Sequence, residues 1–189
     1  PTDLSAMASL YVDAIRKAKL LSKKELIKGT GIKFDKKNLL ITYHPVTLEK
    51  QSSQKHYQTL LDVLNDLKDV YLIFTMPNAD SDGRIIKQMI GEFVSIHKQR
   101  SILFTSMGHL NFLSTMQFVD GVVGNSSSGI METPAIGIPC VNIGDRQRGR
   151  MRAANVIDVE PDVDCILAGI ARAMDPSCAA TVADLVNPY

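Results

Sequence analysis

Three consecutive serines, Ser126, Ser127 and Ser128, follow the apolar run GVVG and precede Gly129, and a single carboxylate, Glu132, stands about one helical turn later. At the start of a helix, hydroxyls and unpaired backbone amides can cradle a diphosphate. A carboxylate one turn in can accept hydrogen bonds from two ribose hydroxyls, as the acidic residue of dinucleotide folds does. The competing reading is a serine N-cap with turn residues around it, and a glutamate that merely favours a helix start or completes a capping box. The stretch is neither a Walker A loop, since no Gly-Lys-Ser/Thr follows, nor a GxGxxG fingerprint.

Other candidates follow other apolar runs. His44, after NLLITY, can donate to a phosphate oxygen or exchange a proton near neutral pH, or be a turn residue held by Pro45. Asn78 and Asp80 lie among ordinary turn formers in MPNADSDG, and Ser106 in TSMGH can bind a ligand or, as local evidence favours, cap the next helix. In GDRQRGR, Arg146, Arg148 and Arg150 follow one strand, and the guanidinium of one of them can match phosphate oxygens in a planar fork; the competing reading is a solvated basic loop, which Arg148 favours.

These positions share one surface only if the runs are strands of a parallel sheet. The runs 38–43, 70–75, 101–105, 120–124, 138–143 and 155–159 are nearly continuous in apolar residues, as expected for strands covered on both faces. Helical spacing separates most of them. Tyr57, Leu60, Leu61, Leu64 and Leu67 share one predicted face; Ile86, Met89, Ile90 and Phe93 share another, continued by Ile96 or His97. Val163, Ile166, Leu167, Ile170 and Met174 share a third, with Asp162 as its N-cap. The fold class is therefore α/β, a doubly wound parallel sheet of Rossmann-like type, whose ligands bind beyond the carboxyl ends of the strands. The opening residues, with Leu4, Ala8, Tyr11, Val12 and Ile15 at helical spacing, are a packed helix or a linker from a missing half.

Length and charge narrow the function. The chain has 189 residues, 45% of them hydrophobic, which suits one domain over residues 1–189. A net charge of +1 with interspersed signs offers no footprint for nucleic acid or an anionic membrane, and Lys23, Lys24, Lys36 and Lys37 read as solvated surface. No apolar run reaches membrane-spanning length and no signal peptide is recognisable. Three cysteines, odd in number and without metal-ligand spacing, fit a reducing cytoplasm. Beginning at Pro1 and ending at Asn187-Pro188-Tyr189, the sequence looks like an excised piece.

Together, YHPVT, GNSSSG with Glu132, GIPCVNIG, DRQRGR and VNPY resemble the UDP-N-acetylglucosamine 2-epimerase family, from about Asp13 to Tyr189. The resemblance is strongest to the hydrolysing branch that supplies N-acetylmannosamine for sialic acid and capsule polysaccharides. It implies a two-domain glycosyltransferase-B-like fold, of which this chain is the C-terminal, nucleotide-binding half. By position it implies that His44 lies at the interdomain cleft near the diphosphate, as binding group and proton-transfer participant. It places Asn78, Ser106, Ser126, Ser127, Glu132 and Arg146 on UDP, the serines on the diphosphate and Glu132 on the ribose. Ser106 stands where some relatives have histidine, leaving uracil and guanine both open.

The implied reaction eliminates UDP across C1 and C2 to a glycal, then adds water with inversion at C2, with no cofactor and no metal. The implied acid and base carboxylates lie in the absent N-terminal domain, so the isolated chain is expected to bind nucleotide and turn over nothing. A homo-oligomeric parent is expected. Two rival readings use the same cradle: the donor domain of a glycosyltransferase, and a non-catalytic nucleotide-sensing module.

Overall fold

The computed structural model describes residues 12–46, 50–77, 83–182 and 188. Asn78 and Asp80 lie outside the described residues, as do Leu4, Ala8 and Tyr11 and, in VNPY, all but Pro188.

Six strands form one parallel sheet: β1 (Lys37–Thr42), β2 (Val70–Thr75), β3 (Ser101–Phe104), β4 (Gly121–Gly124), β5 (Cys140–Ile143) and β6 (Val156–Val159). Their order is β3-β2-β1-β4-β5-β6, so the chain winds outward from β1 and then reverses to continue from β4. Each predicted apolar run coincides with one of these strands, β1 beginning one residue earlier, at Lys37. Alternation along β1 shows why both faces are covered: Leu39 and Ile41 join one apolar cluster, and Leu40 joins another on the opposite face. All three are 0–1% exposed, and complete burial of such a side chain stabilises by about 1.5–3 kcal/mol.

The first cluster lies under helices α3 (Lys50–Asp66), α4 (Gly83–Ile96) and α8 (Val163–Ala173). The second includes Ile15 of a short helix α1 (12–17) and Leu113 and Met116 of α5 (His109–Met116). Thus the described part of the opening segment packs as a helix, with Val12 and Ile15 each 2% exposed. Helix α2 (Lys23–Thr30) precedes β1 and packs with α5. It opens with a reciprocal cap, in which Ser22 Oγ accepts from Glu25 N at 3.3 Å and Glu25 Oε2 accepts from Ser22 N at 2.9 Å.

The third predicted helix is rotated from its expected face. Ile166 and Ile170 are buried, but Val163 and Leu167 are 49% and 44% exposed. Gly169 explains the turn: a Cβ there would sit 2.8 Å from Val159 Cγ1 and 3.1 Å from Val141 Cγ1, so α8 lies on the sheet through its small residue. Asp162 caps this helix as expected, accepting from Cys165 N at 2.9 Å. Lys37 departs from the solvated reading. Its ammonium donates to Asp120 Oδ1 and to Met174 O, each at 3.0 Å, tying the start of β1 to the loop before β4.

Cys140 is buried in β5, and burial raises its thiol from 9.0 to about 12, with the Asp158 carboxylate adding to the rise. Between pH 9 and about 12 the unfolded chain gives up this proton while the folded chain keeps it. The unfolded state then binds fewer protons, so this group's contribution to stability falls as pH rises through that window. Thiol labelling at pH 8 is expected to modify Cys140 only on unfolding, and urea midpoints are expected to drop above pH 9 less steeply in Cys140→Ala than in the parent.

Candidate functional site

The reversal of strand order puts the ends of β1 and β4 side by side, with Thr42 paired to Gly124 in register. The backbones meet closely there. Gly124 has φ 145°, and a Cβ on it would lie 1.8 Å from Thr42 O, so only glycine lets the chain leave β4 in this direction.

Asn125, the next residue, is 1% exposed. Its N–H donates to Thr42 O at 3.1 Å. Its side-chain Oδ1 accepts from His44 N at 2.7 Å and its Nδ2 donates to His44 O at 2.8 Å. Its own carbonyl accepts from Arg146 Nη1 at 3.0 Å and from Gln147 Nε2 at 2.7 Å. The loops after β1, β4 and β5 are therefore joined at one residue.

The serine loop then turns into α6 (Ser127–Met131), which has only five residues. Ser126 is its N-cap, and Ser126 Oγ accepts from Ser128 N at 3.3 Å. Gly129 N–H turns back to Ser126 O at 3.1 Å. Two of the first amides are thereby engaged, so the cradle expected here relies on hydroxyls more than on a row of open amides. The Ser126 hydroxyl that accepts from Ser128 still carries its own O–H donor. The helix begins at Ser127, directly after its N-cap.

Glu132 sits where α6 ends and α7 (Thr133–Ile136) begins. Its N–H reaches Ser128 O at 3.0 Å, and its carbonyl accepts from Ala135 N at 3.0 Å. Its side chain caps neither helix, which removes the capping-box reading. The residue is 6% exposed and lines a groove. Below it, Asn155, fully buried, donates to Thr133 Oγ1 at 2.8 Å and to Ile138 O at 2.7 Å, while Thr133 Oγ1 donates to Gly129 O at 2.6 Å. Asn155→Ala leaves these acceptors without their donor and is expected to cost about 1–3 kcal/mol in urea unfolding.

The groove, about 300 Å³, runs across the carboxyl ends of β1 to β4. Thr42, His44, Ser126, Ser128 and Glu132 line it near the switch point, and Thr105, Ser106, Gly108, His109 and Phe112 line its far part. Ser106 does not cap α5, whose N-cap is Gly108; its Oγ only accepts from Gly108 N at 3.4 Å. The expected set thus divides. His44, Ser106, Ser126 and Glu132 share the groove, Ser127 is half-buried beside it, and Arg146 borders an adjoining cavity with Tyr43, His56 and Glu160. Arg148 is 83% exposed and pairs only loosely with Asp145, at 3.5 Å. A larger cavity of about 540 Å³ lies between β6 and α8 at the sheet edge, away from the switch point where strand ends converge, so size does not select the site.

Asn125, Gln147, Asn155 and Thr133 were not anticipated as part of this constellation. Asn125 carried a signal, being the first residue after a strand within GNSSSG. Gln147 and Asn155 act through buried side-chain bonds to partners remote in sequence, and Thr133 enters by accepting one of them.

A model of the UDP-N-acetylglucosamine 2-epimerase family matches residues 6–189. The chain is 43% identical over 154 residues to the GDP/UDP-N,N'-diacetylbacillosamine 2-epimerase (hydrolyzing) of Campylobacter jejuni, covering 82% of this chain and 40% of that protein. It is 34% identical to polysialic acid biosynthesis protein P7 of Escherichia coli, covering 82% and 39%. Among solved structures, the S. aureus MnaA-UDP co-structure superimposes with a TM-score of 0.66 at 12% identity, over 96% of this chain and 47% of that one. The UDP-GlcNAc 2-epimerase from Neisseria meningitidis bound to UDP-GlcNAc gives 0.62 at 14% identity, over 98% and 48%. The structural likenesses speak to the fold. The chain spans about two fifths of the length of the curated relatives it matches.

Proposed function

Because the chain belongs to the UDP-N-acetylglucosamine 2-epimerase family, we propose that it is the C-terminal, nucleotide-binding half of a hydrolysing UDP-N-acetylglucosamine 2-epimerase. The whole protein converts UDP-N-acetylglucosamine and water to N-acetylmannosamine and UDP. A base removes the C2 proton, the C1–O bond breaks with its electron pair leaving on UDP, and a C1=C2 glycal forms. Water then supplies OH to C1 and a proton returns to the opposite face of C2. Since the C2 proton is weakly acidic, the enzyme must stabilise the departing diphosphate strongly.

The observation that carries this reading is the groove at the β1/β4 switch point, with His44, Ser126, Ser128 and Glu132 on its walls. Ser126 and Ser127 hold the diphosphate, Glu132 the ribose, and Ser106 the outer end of the nucleotide. His44 faces the diphosphate and takes part in proton transfer across the cleft, and Asn78, which follows β2 in sequence, adds a further contact. A guanidinium has five N–H donors, so the bond from Arg146 to Asn125 is compatible with a further one to a phosphate oxygen. The principal acid and base come from the N-terminal domain, and the parent is a homo-oligomer. Three free cysteines fit a reducing compartment, and no described helix is long and apolar enough to cross a membrane.

A second reading concerns the sugar. The 43% identity to an enzyme named for diacetylbacillosamine favours a substrate with a second acetamido group. Calorimetric titration of this chain with UDP, GDP, UDP-N-acetylglucosamine and UDP-N,N'-diacetylbacillosamine tests both. UDP is expected to bind, and Ser126→Ala to weaken it by about 1–3 kcal/mol. Absence of UDP binding in the folded chain would remove the assignment.

A further inference from the structure

We infer that Asn125 and Gln147 are positioning residues that hold the His44 backbone in register with the serine loop, a role that rests on the nucleotide reading of this groove. The geometry is specific. Asn125 spends both ends of its side-chain amide on one residue, accepting from His44 N at 2.7 Å and donating to His44 O at 2.8 Å. This two-point bond fixes the peptide planes on both sides of the His44 Cα, and with them the direction from which the imidazole leaves the chain. A single bond would leave a rotation open.

Asn125 must itself be anchored for this to work, and it is held at three further points. Its N–H is on Thr42 O at 3.1 Å, and its carbonyl takes Gln147 Nε2 at 2.7 Å and Arg146 Nη1 at 3.0 Å. Gln147 is 3% exposed and Asn125 1%, so these bonds are shielded from competing water. Ser126 follows Asn125 directly. A displacement of the Asn125 peptide therefore moves the first diphosphate hydroxyl and the His44 loop together. Three loops that could drift independently behave as one rigid rim, and a mismatch of about 1 Å in such a rim is enough to impair a reaction centre.

The test combines calorimetry with imidazole NMR on this chain. His44 is assigned among the four histidines with a His44→Gln variant. Asn125→Ala is expected to shift the His44 imidazole resonances, leave those of His97 in place, and weaken UDP binding about tenfold or more. Asn125→Asp keeps an acceptor for His44 N but loses the donor to His44 O, and is expected to fall between parent and alanine. Gln147→Met, similar in shape but without an amide, is expected to move the same resonances less, and it carries the test if Asn125→Ala does not fold. A lower melting temperature with unchanged His44 resonances and unchanged UDP affinity would overturn the inference. If the parent chain itself fails to bind UDP, the nucleotide reading fails, while the His44 resonances still decide whether the bracket positions that side chain.

Discussion

Glu132→Ala is expected to weaken UDP binding to this chain by about 1–3 kcal/mol, the usual loss when a charged hydrogen-bond partner is removed. The carboxylate is 6% exposed, caps neither adjoining helix, and lines the groove beside Ser126 and Ser128. A ribose diol needs two acceptors in one plane, which a carboxylate supplies. Glu132→Gln keeps one acceptor oxygen and is expected to lie between parent and alanine, whereas Glu132→Asp withdraws both oxygens by one methylene. Loss of affinity without loss of the urea midpoint is the expected pattern, because Asn155 and Thr133 hold the local backbone. Equal UDP affinity in Glu132→Ala and the parent would dismiss the ribose role.

Gly124→Ala is expected to be the most destabilising single change, roughly 3–5 kcal/mol by urea denaturation. Two penalties coincide. The backbone has φ 145°, a region side chains rarely enter, and the new Cβ would meet Thr42 O at 1.8 Å and Thr42 C at 2.6 Å. Relief requires β1 and β4 to separate in the centre of the sheet. Gly144→Ala separates the two penalties, since Gly144 also has positive φ, 69°, but a Cβ there meets nothing within 4 Å. Only backbone strain then applies, about 1–2 kcal/mol. Comparable losses at the two positions would show that the β1/β4 contact yields easily, contrary to its role as the floor of the site.

Much of this was legible in the amino acids. Continuous apolar runs marked each described strand because a sheet covered on both faces needs no polar alternation. Tyr57, Leu60, Leu61 and Leu64, all buried, sit on one face of α3 because helical periodicity reports which side meets the core. Helix α2, by contrast, was not read from any helical spacing, although it opens with a capping box of Ser22 and Glu25. Periodicity failed for α8. It weighs large apolar residues and cannot register that Gly169 would let the sheet approach, so Val163 and Leu167 turned outward.

The sequence by itself determined the fold class, the positions of the strand ends, and the cluster of serines and carboxylate after the fourth strand, because these follow from local spacing. Only the tertiary structure decided that Ser126, Glu132 and His44 meet in one groove, that Arg146 borders the next cavity, and that Asn125 joins three loops. The physical reason is separation along the chain. The bonds from Asn125 to His44 span 81 residues, and that from Gln147 to Asn125 spans 22, and a hydrogen bond between remote residues leaves no period in the sequence to read.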